Sequence, residues 1–127
     1  MTRAMIIADS RAVQAELTDT LLEARDIEIV RHVSGRSDVT AIVEGFRPDL
    51  VIVDDMHWPP RALSRVAEAR RAAPAAAIVV RAERIEGDWL ADALRCGASA
   101  VIPAQADTKT FRRVLSEVLT PLEVTAA

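Results

Sequence analysis

Short apolar runs alternate with longer amphipathic segments along this chain, and the alternation occurs five times. Ala4–Ala8 predicts a first strand, and Val13, Leu17 and Leu21, four apart, predict a helix with one inner face. Ile27–Val33 predicts a second strand, after which Val39, Ile42, Val43 and Phe46 mark a second helix. Leu50–Val53 predicts the third strand, announced by Pro48, which disfavours helix in the residue before it. Leu63, Val66 and Ala67 carry a third helix, punctuated by Pro74. Ala77–Val80 predicts the fourth strand, and Leu90, Ala93 and Leu94 a helix closed by Gly97. Ala100–Ile102 predicts the fifth strand, and Asp107 can cap a last helix with Phe111, Val114, Leu115 and Val118 inward.

The strands starting at Leu50 and Ala77 are unbroken apolar runs, as expected where helices cover both faces of a parallel sheet. The fold expected is therefore α/β, a doubly wound, five-stranded, flavodoxin-like parallel sheet in the order 2-1-3-4-5. Residues 1–120 form its one domain and 121–127 a tail. Ligand sites in such sheets lie at the carboxyl ends of the strands, near the reversal of strand order. Strands one and three are neighbours there, which brings Asp9 beside Asp54 and Asp55.

Composition narrows the function classes. A chain of 127 residues, half of them hydrophobic and 28% charged, suits one globular domain with a real core. Stretches such as Ala75–Val80 are too short to span a bilayer, and the start "MTRAMIIADS" is too short for a secretory signal, so the expectation is cytoplasmic. The lone Cys96 has no internal disulfide partner, agrees with a reducing compartment, and reads as a small buried residue. A net charge of −3 argues against direct nucleic-acid binding by this domain. Its 15 arginines against one lysine, Lys109, read as genomic base composition rather than a recognition surface. Arg61, Arg65, Arg70 and Arg71 share the third helix and read as a solvated face.

The stretches "DIEIVRHVSG", "RPDLVIVDD" and "DALRCGASAVIPA" carry a resemblance to response-regulator receiver domains, nearest to those preceding helix-turn-helix output domains. The likeness spans roughly residues 3 to 119. It implies phosphoryl transfer from a histidine kinase to an aspartate at the end of strand three, which is Asp54 here, assisted by Mg²⁺. The family ends strand one with an acidic pair; this chain has Asp9 followed by Ser10, a poor metal ligand but a good helix cap. A weak Mg²⁺ site at Asp9 and Asp54 is all the cofactor that the resemblance leaves. The family's switch hydroxyl falls on Ala82, its lysine on Ala104 and its aromatic switch on Val101. No Ser or Thr occurs between residues 65 and 98, and the chain has no Tyr. A phosphoryl group on Asp54 would thus lack two or three charge-assisted hydrogen bonds, each worth about 1.5–3 kcal/mol.

Four further residues near the acidic edge have plain readings. Asp55 is expected in the loop, facing solvent, because strand alternation turns it away from Asp54, and His57 on the surface. Trp58 is expected to pack the loop after strand three, or to stack over the acidic pocket or on a partner. Arg81 interrupts an apolar strand; exposure at the strand end is its plain account. Yet crowded carboxylates must either keep a proton or gain a cation, and Arg81 and Arg84 are the nearest fixed cations, so one is expected to point toward Asp9 and Asp54.

The function expected is that of an atypical receiver, not an enzyme, which regulates a protein partner or an attached output domain through contacts. By the same resemblance it pairs as a homodimer through helix four, strand five and helix five, with Trp89, Leu90, Arg112 and Arg113 as interface candidates. One alternative is a true phosphoacceptor using Asp54 with a weakened Mg²⁺ site. Another is a small flavodoxin-like nucleotide-binding enzyme, disfavoured by the absence of a glycine-rich phosphate loop and only four glycines.

Overall fold

A computed structural model describes residues 2–23, 27–55, 58–85 and 87–119; His57 and the tail at 121–127 lie outside them. Ten elements alternate: β1 (Thr2–Ile7), α1 (Arg11–Leu22), β2 (Ile27–Val33), α2 (Thr40–Phe46), β3 (Leu50–Asp54), α3 (Pro59–Ala72), β4 (Ala77–Ala82), α4 (Gly87–Cys96), β5 (Ala100–Pro103) and α5 (Thr108–Leu119). The strands make one parallel sheet, ordered β2-β1-β3-β4-β5, as the pattern predicts.

Alternation along each strand divides the core in two. Met5, Ile7, Val51, Val53, Ile78 and Val80 pack with Val43 of α2, Val66 of α3 and Ala93 of α4. Ala4, Ile6, Leu50, Ile52 and Val79 pack on the other face with Leu17 and Leu21 of α1 and Phe111 and Leu115 of α5. All of β3 is buried. Each Val, Leu or Ile taken fully out of water there contributes about 1.5–3 kcal/mol, so the strand admits no polar residue before its last, Asp54.

Two hydrophobic residues expected inside lie outside. Ile42 is 37% exposed and Leu94 48%. The inward stripe of α2 and its cap runs through Val39 and Val43, four apart, and Ile42 sits about a quarter of a turn off it. In α4 the inward residues are Trp89, Ala93 and Cys96, which turns Leu94 to solvent.

The arginines of α3 are not the solvated face expected from their number. Arg61 and Arg65 reach carboxylates, and only Arg71 is exposed. Arg70 Nε donates to the Gly97 carbonyl (2.9 Å), and Nη1 donates to those of Pro74 (2.9 Å) and Ala76 (2.7 Å). Long stems let these cations cross the helix flank and reach acceptors beyond it. Arg70 thereby joins the α3–β4 turn to the α4–β5 turn, and its stem explains the glycine of "CGAS". Gly97 has φ +119°, and a Cβ there would stand 2.5 Å from Arg70 Cγ.

Candidate functional site

Asp54 ends β3, and its ladder partner on β4 is Arg81. Paired residues of parallel strands project to one face, so both side chains enter the layer between the sheet and helices α1 and α5. Arg81 Nη1 donates to Asp54 Oδ1 at 2.9 Å, and Nη2 lies 3.6 Å from Glu16 Oε2 of α1. The Arg81 side chain is 12% exposed and that of Asp54 8%, so this is a buried ion pair. Exposure of Arg81 at the strand end is thus overturned. A long side chain following four apolar residues has water only at its tip, and here the carboxylate takes the tip first. Arg84 is exposed and has no ion pair among the described residues.

Beside Arg81 is a small cleft lined by Glu16, Leu17, Pro103, Ala104 and Phe111. Ala104, whose amide donates to the Ala82 carbonyl at 2.8 Å, occupies the place where the resemblance puts a lysine. The guanidinium borders the space that this small residue leaves. Ala82 itself is buried, and Val101 packs partly buried against the α2–α3–α4 core.

Asp9 is tied to α3 and to the turn after β2. Its Oδ2 accepts from Arg61 Nη1 at 2.8 Å; its Oδ1 accepts from the Gly35 amide at 2.9 Å and the Ser34 hydroxyl at 3.2 Å. Arg61 lies in the first turn of α3, with its guanidinium carbon 5.8 Å from the centre of the Trp58 ring. Trp58 does not pack the loop from within. It is 58% exposed and lies against the Arg61 cation.

Asp55 corrects a second expectation, since it is 7% exposed rather than solvent-facing. Alternation does turn it from Asp54, but that direction leads under the end of β4. Its amide donates to the Arg81 carbonyl at 2.9 Å, and its Oδ2 accepts from the Glu83 amide at 2.7 Å. A carboxylate that takes a backbone N–H in this way satisfies a donor where β4 runs out of ladder.

Ser10 caps α1, accepting the Val13 amide on its hydroxyl at 3.3 Å. The donor set does not fit Mg²⁺. That ion needs several oxygens converging in a near-octahedral arrangement. Here Asp9 faces Arg61, Asp54 faces Arg81, Asp55 holds an amide and Ser10 holds another. Among the described residues no three His, Cys, Asp or Glu side chains converge as a metal site.

Two residues of the site escaped sequence reasoning, Arg61 and Glu16. Arg61 carried a signal: a cation in the first helical turn opposes the helix dipole, and such a local violation calls for a nearby anion. Glu16 carried none. Of the interface candidates, Arg112 pairs with Glu23, the C-cap of α1, and Trp89 packs against the core with its indole N–H buried and without a hydrogen-bond partner among the described residues. Arg113 is exposed and Leu90 half-buried. Cys96 is half-buried and packs beside Ala93 on the inner side of α4.

No protein-family model matches the chain, and no curated protein matches it by sequence. Solved structures do match in shape. A LuxR-family two-component response regulator from Aurantimonas sp. SI85-9A1 superposes with TM-score 0.82 at 19% identity, over 95% of this chain and 86% of that one. The signal receiver domain of a modulated diguanylate cyclase from Desulfovibrio desulfuricans G20 gives TM-score 0.80 at 15% identity, over 98% of both chains. A chain described as a pilus assembly protein from Burkholderia thailandensis E264 gives 0.75 at 14% identity, over 94% of this chain and 99% of that one. Five parallel strands in the order 2-1-3-4-5, alternating with five helices, give this chain the fold of a signal receiver domain.

Proposed function

We propose that this is a cytoplasmic, non-catalytic, atypical receiver that works through protein contacts, with little or no switching by phosphorylation of Asp54. The observation that carries the reading is the buried Asp54–Arg81 ion pair. An aspartate that attacks phosphorus must turn a free oxygen outward and exchange its partners as the phosphoryl group arrives. Asp54 instead has a cation in place, while Ala82 and Ala104 offer no hydroxyl or ammonium to hold the incoming group. A switch needs differential binding energy between its states, and these two positions supply none. The partner is an attached output domain or a separate protein, and pairing through α4, β5 and α5 would use Leu90 and Arg113.

A second reading draws on the same ion pair. Arg81 borders the place of the missing lysine, so it could receive the phosphoryl group in a phosphoacceptor that uses Asp54. One experiment separates the two. The protein is incubated with phosphoramidate and Mg²⁺, and intact mass and oligomeric state are followed. The proposal expects no stable phosphoryl adduct and no change of assembly. An adduct that disappears in Asp54→Asn and is accompanied by dimerisation would establish the second reading.

A further inference from the structure

The acidic edge of the sheet carries its own cations. Arg61 Nη1 stands 2.8 Å from Asp9 Oδ2, and Arg81 Nη1 stands 2.9 Å from Asp54 Oδ1. The arginines come from different elements, α3 and β4, and each reaches a carboxylate distant in sequence. Neither is favoured by its own element. A cation in the first turn of α3 opposes the helix dipole, and Arg81 breaks the otherwise apolar run of β4. Both positions make sense only through the carboxylate that the arginine meets. The flat fork of a guanidinium suits a carboxylate, so each arginine matches its partner in shape as well as in charge.

We infer that Arg61 and Arg81 together do from within the chain the charge-neutralising work of a bound divalent cation, so that the acidic edge keeps its shape without metal. A shared metal would require oxygens of Asp9 and Asp54 to converge on one point. The guanidiniums hold them on separate partners, with Asp9 anchored also by Gly35 and Ser34 in the turn after β2. Trp58, lying against Arg61, covers one of the two cations. This inference builds on the reading of Asp54 as a poor phosphoacceptor, yet the two can fail separately. Phosphoryl transfer to Asp54 would defeat that reading whatever the arginines do, and the test below involves no phosphodonor.

The test compares thermal unfolding of the wild type and R61Q/R81Q, in EDTA and in millimolar MgCl₂, with potassium chloride matched for ionic strength. The wild-type Tm is expected to be equal in the two conditions. The double variant is expected to lose about 10 °C in EDTA. Part of that loss should return with Mg²⁺, as the freed carboxylates take up the ion. Calorimetric titration with Mg²⁺ alone should show binding to the variant at least about tenfold tighter than to the wild type. If R61Q/R81Q does not fold, the single variants R61Q and R81Q carry the same comparison. The inference is overturned by a wild type that Mg²⁺ stabilises as much as the variant. It is equally overturned by variants that lose no stability in EDTA or gain none from the metal.

Discussion

Arg81 and Asp54 are ladder partners on adjacent parallel strands, and the guanidinium of one donates to the carboxylate of the other at 2.9 Å. Both side chains are almost wholly removed from water, so deleting either charge alone leaves the other buried without the ion pair between them. Arg81→Met should destabilise the domain by about 3 kcal/mol, read as a shift of the urea midpoint at neutral pH. The double variant R81M/D54L, which replaces the pair by apolar groups, should recover most of that loss. A double variant no more stable than R81M would mean that the cost lies in packing, not in the loss of the buried ion pair.

Asp55 fastens the end of β4 through the Glu83 amide, 2.7 Å from its Oδ2. Asp55→Ala should cost about 2 kcal/mol, the range for a buried hydrogen bond to a charged group. Amide hydrogen exchange should locate the effect, with Glu83 losing protection while the Val51 and Val53 amides keep theirs. Unchanged exchange at Glu83 would count against the assignment.

Gly97 is required by both backbone and space, with φ at +119° and Arg70 Cγ 2.5 Å from where a Cβ would be. Gly97→Ala should destabilise by about 3 kcal/mol, combining left-handed strain with displacement of Arg70. Because the clash is with that stem, Arg70→Ala in the Gly97→Ala background should cost less than Arg70→Ala alone. Additive losses in a double-mutant cycle would refute the link.

Asp107 caps the start of α5, and its carboxyl is held below the ordinary carboxylate value by the hydrogen bonds it accepts from Thr110. A depressed folded-state pKa contributes stability that is fully present above the unfolded value and disappears as pH falls through the folded one. Asp107→Ala should therefore lower the urea midpoint at pH 7. The gap from wild type should narrow in acid, below the usual titration range of an aspartate. A gap of constant size across that range would show that the capping charge contributes nothing.

The sequence by itself determined the order of elements, the parallel sheet and the two-sided core. These follow from local periodicities, period two in the strands and near 3.6 in the helices, which a chain displays before it folds. It also located Asp54 at the end of β3, Ala82 and Ala104 at the ends of β4 and β5, and Ser10 at the start of α1, since a strand or helix end is a local event. Tertiary structure alone decided which charge meets which. Asp9 finds Arg61 fifty-two positions away, and Arg70 reaches Gly97 twenty-seven away, both by long flexible stems whose reach no periodicity encodes. Alternation gave the direction of Asp55 but not what waits there, the end of β4 rather than water. The same holds for the arginines of α3. Their spacing describes a helix flank, whereas their burial depends on acceptors brought by β1, the α3–β4 turn and the α4–β5 turn, which exist together only once the sheet has closed its neighbours around them.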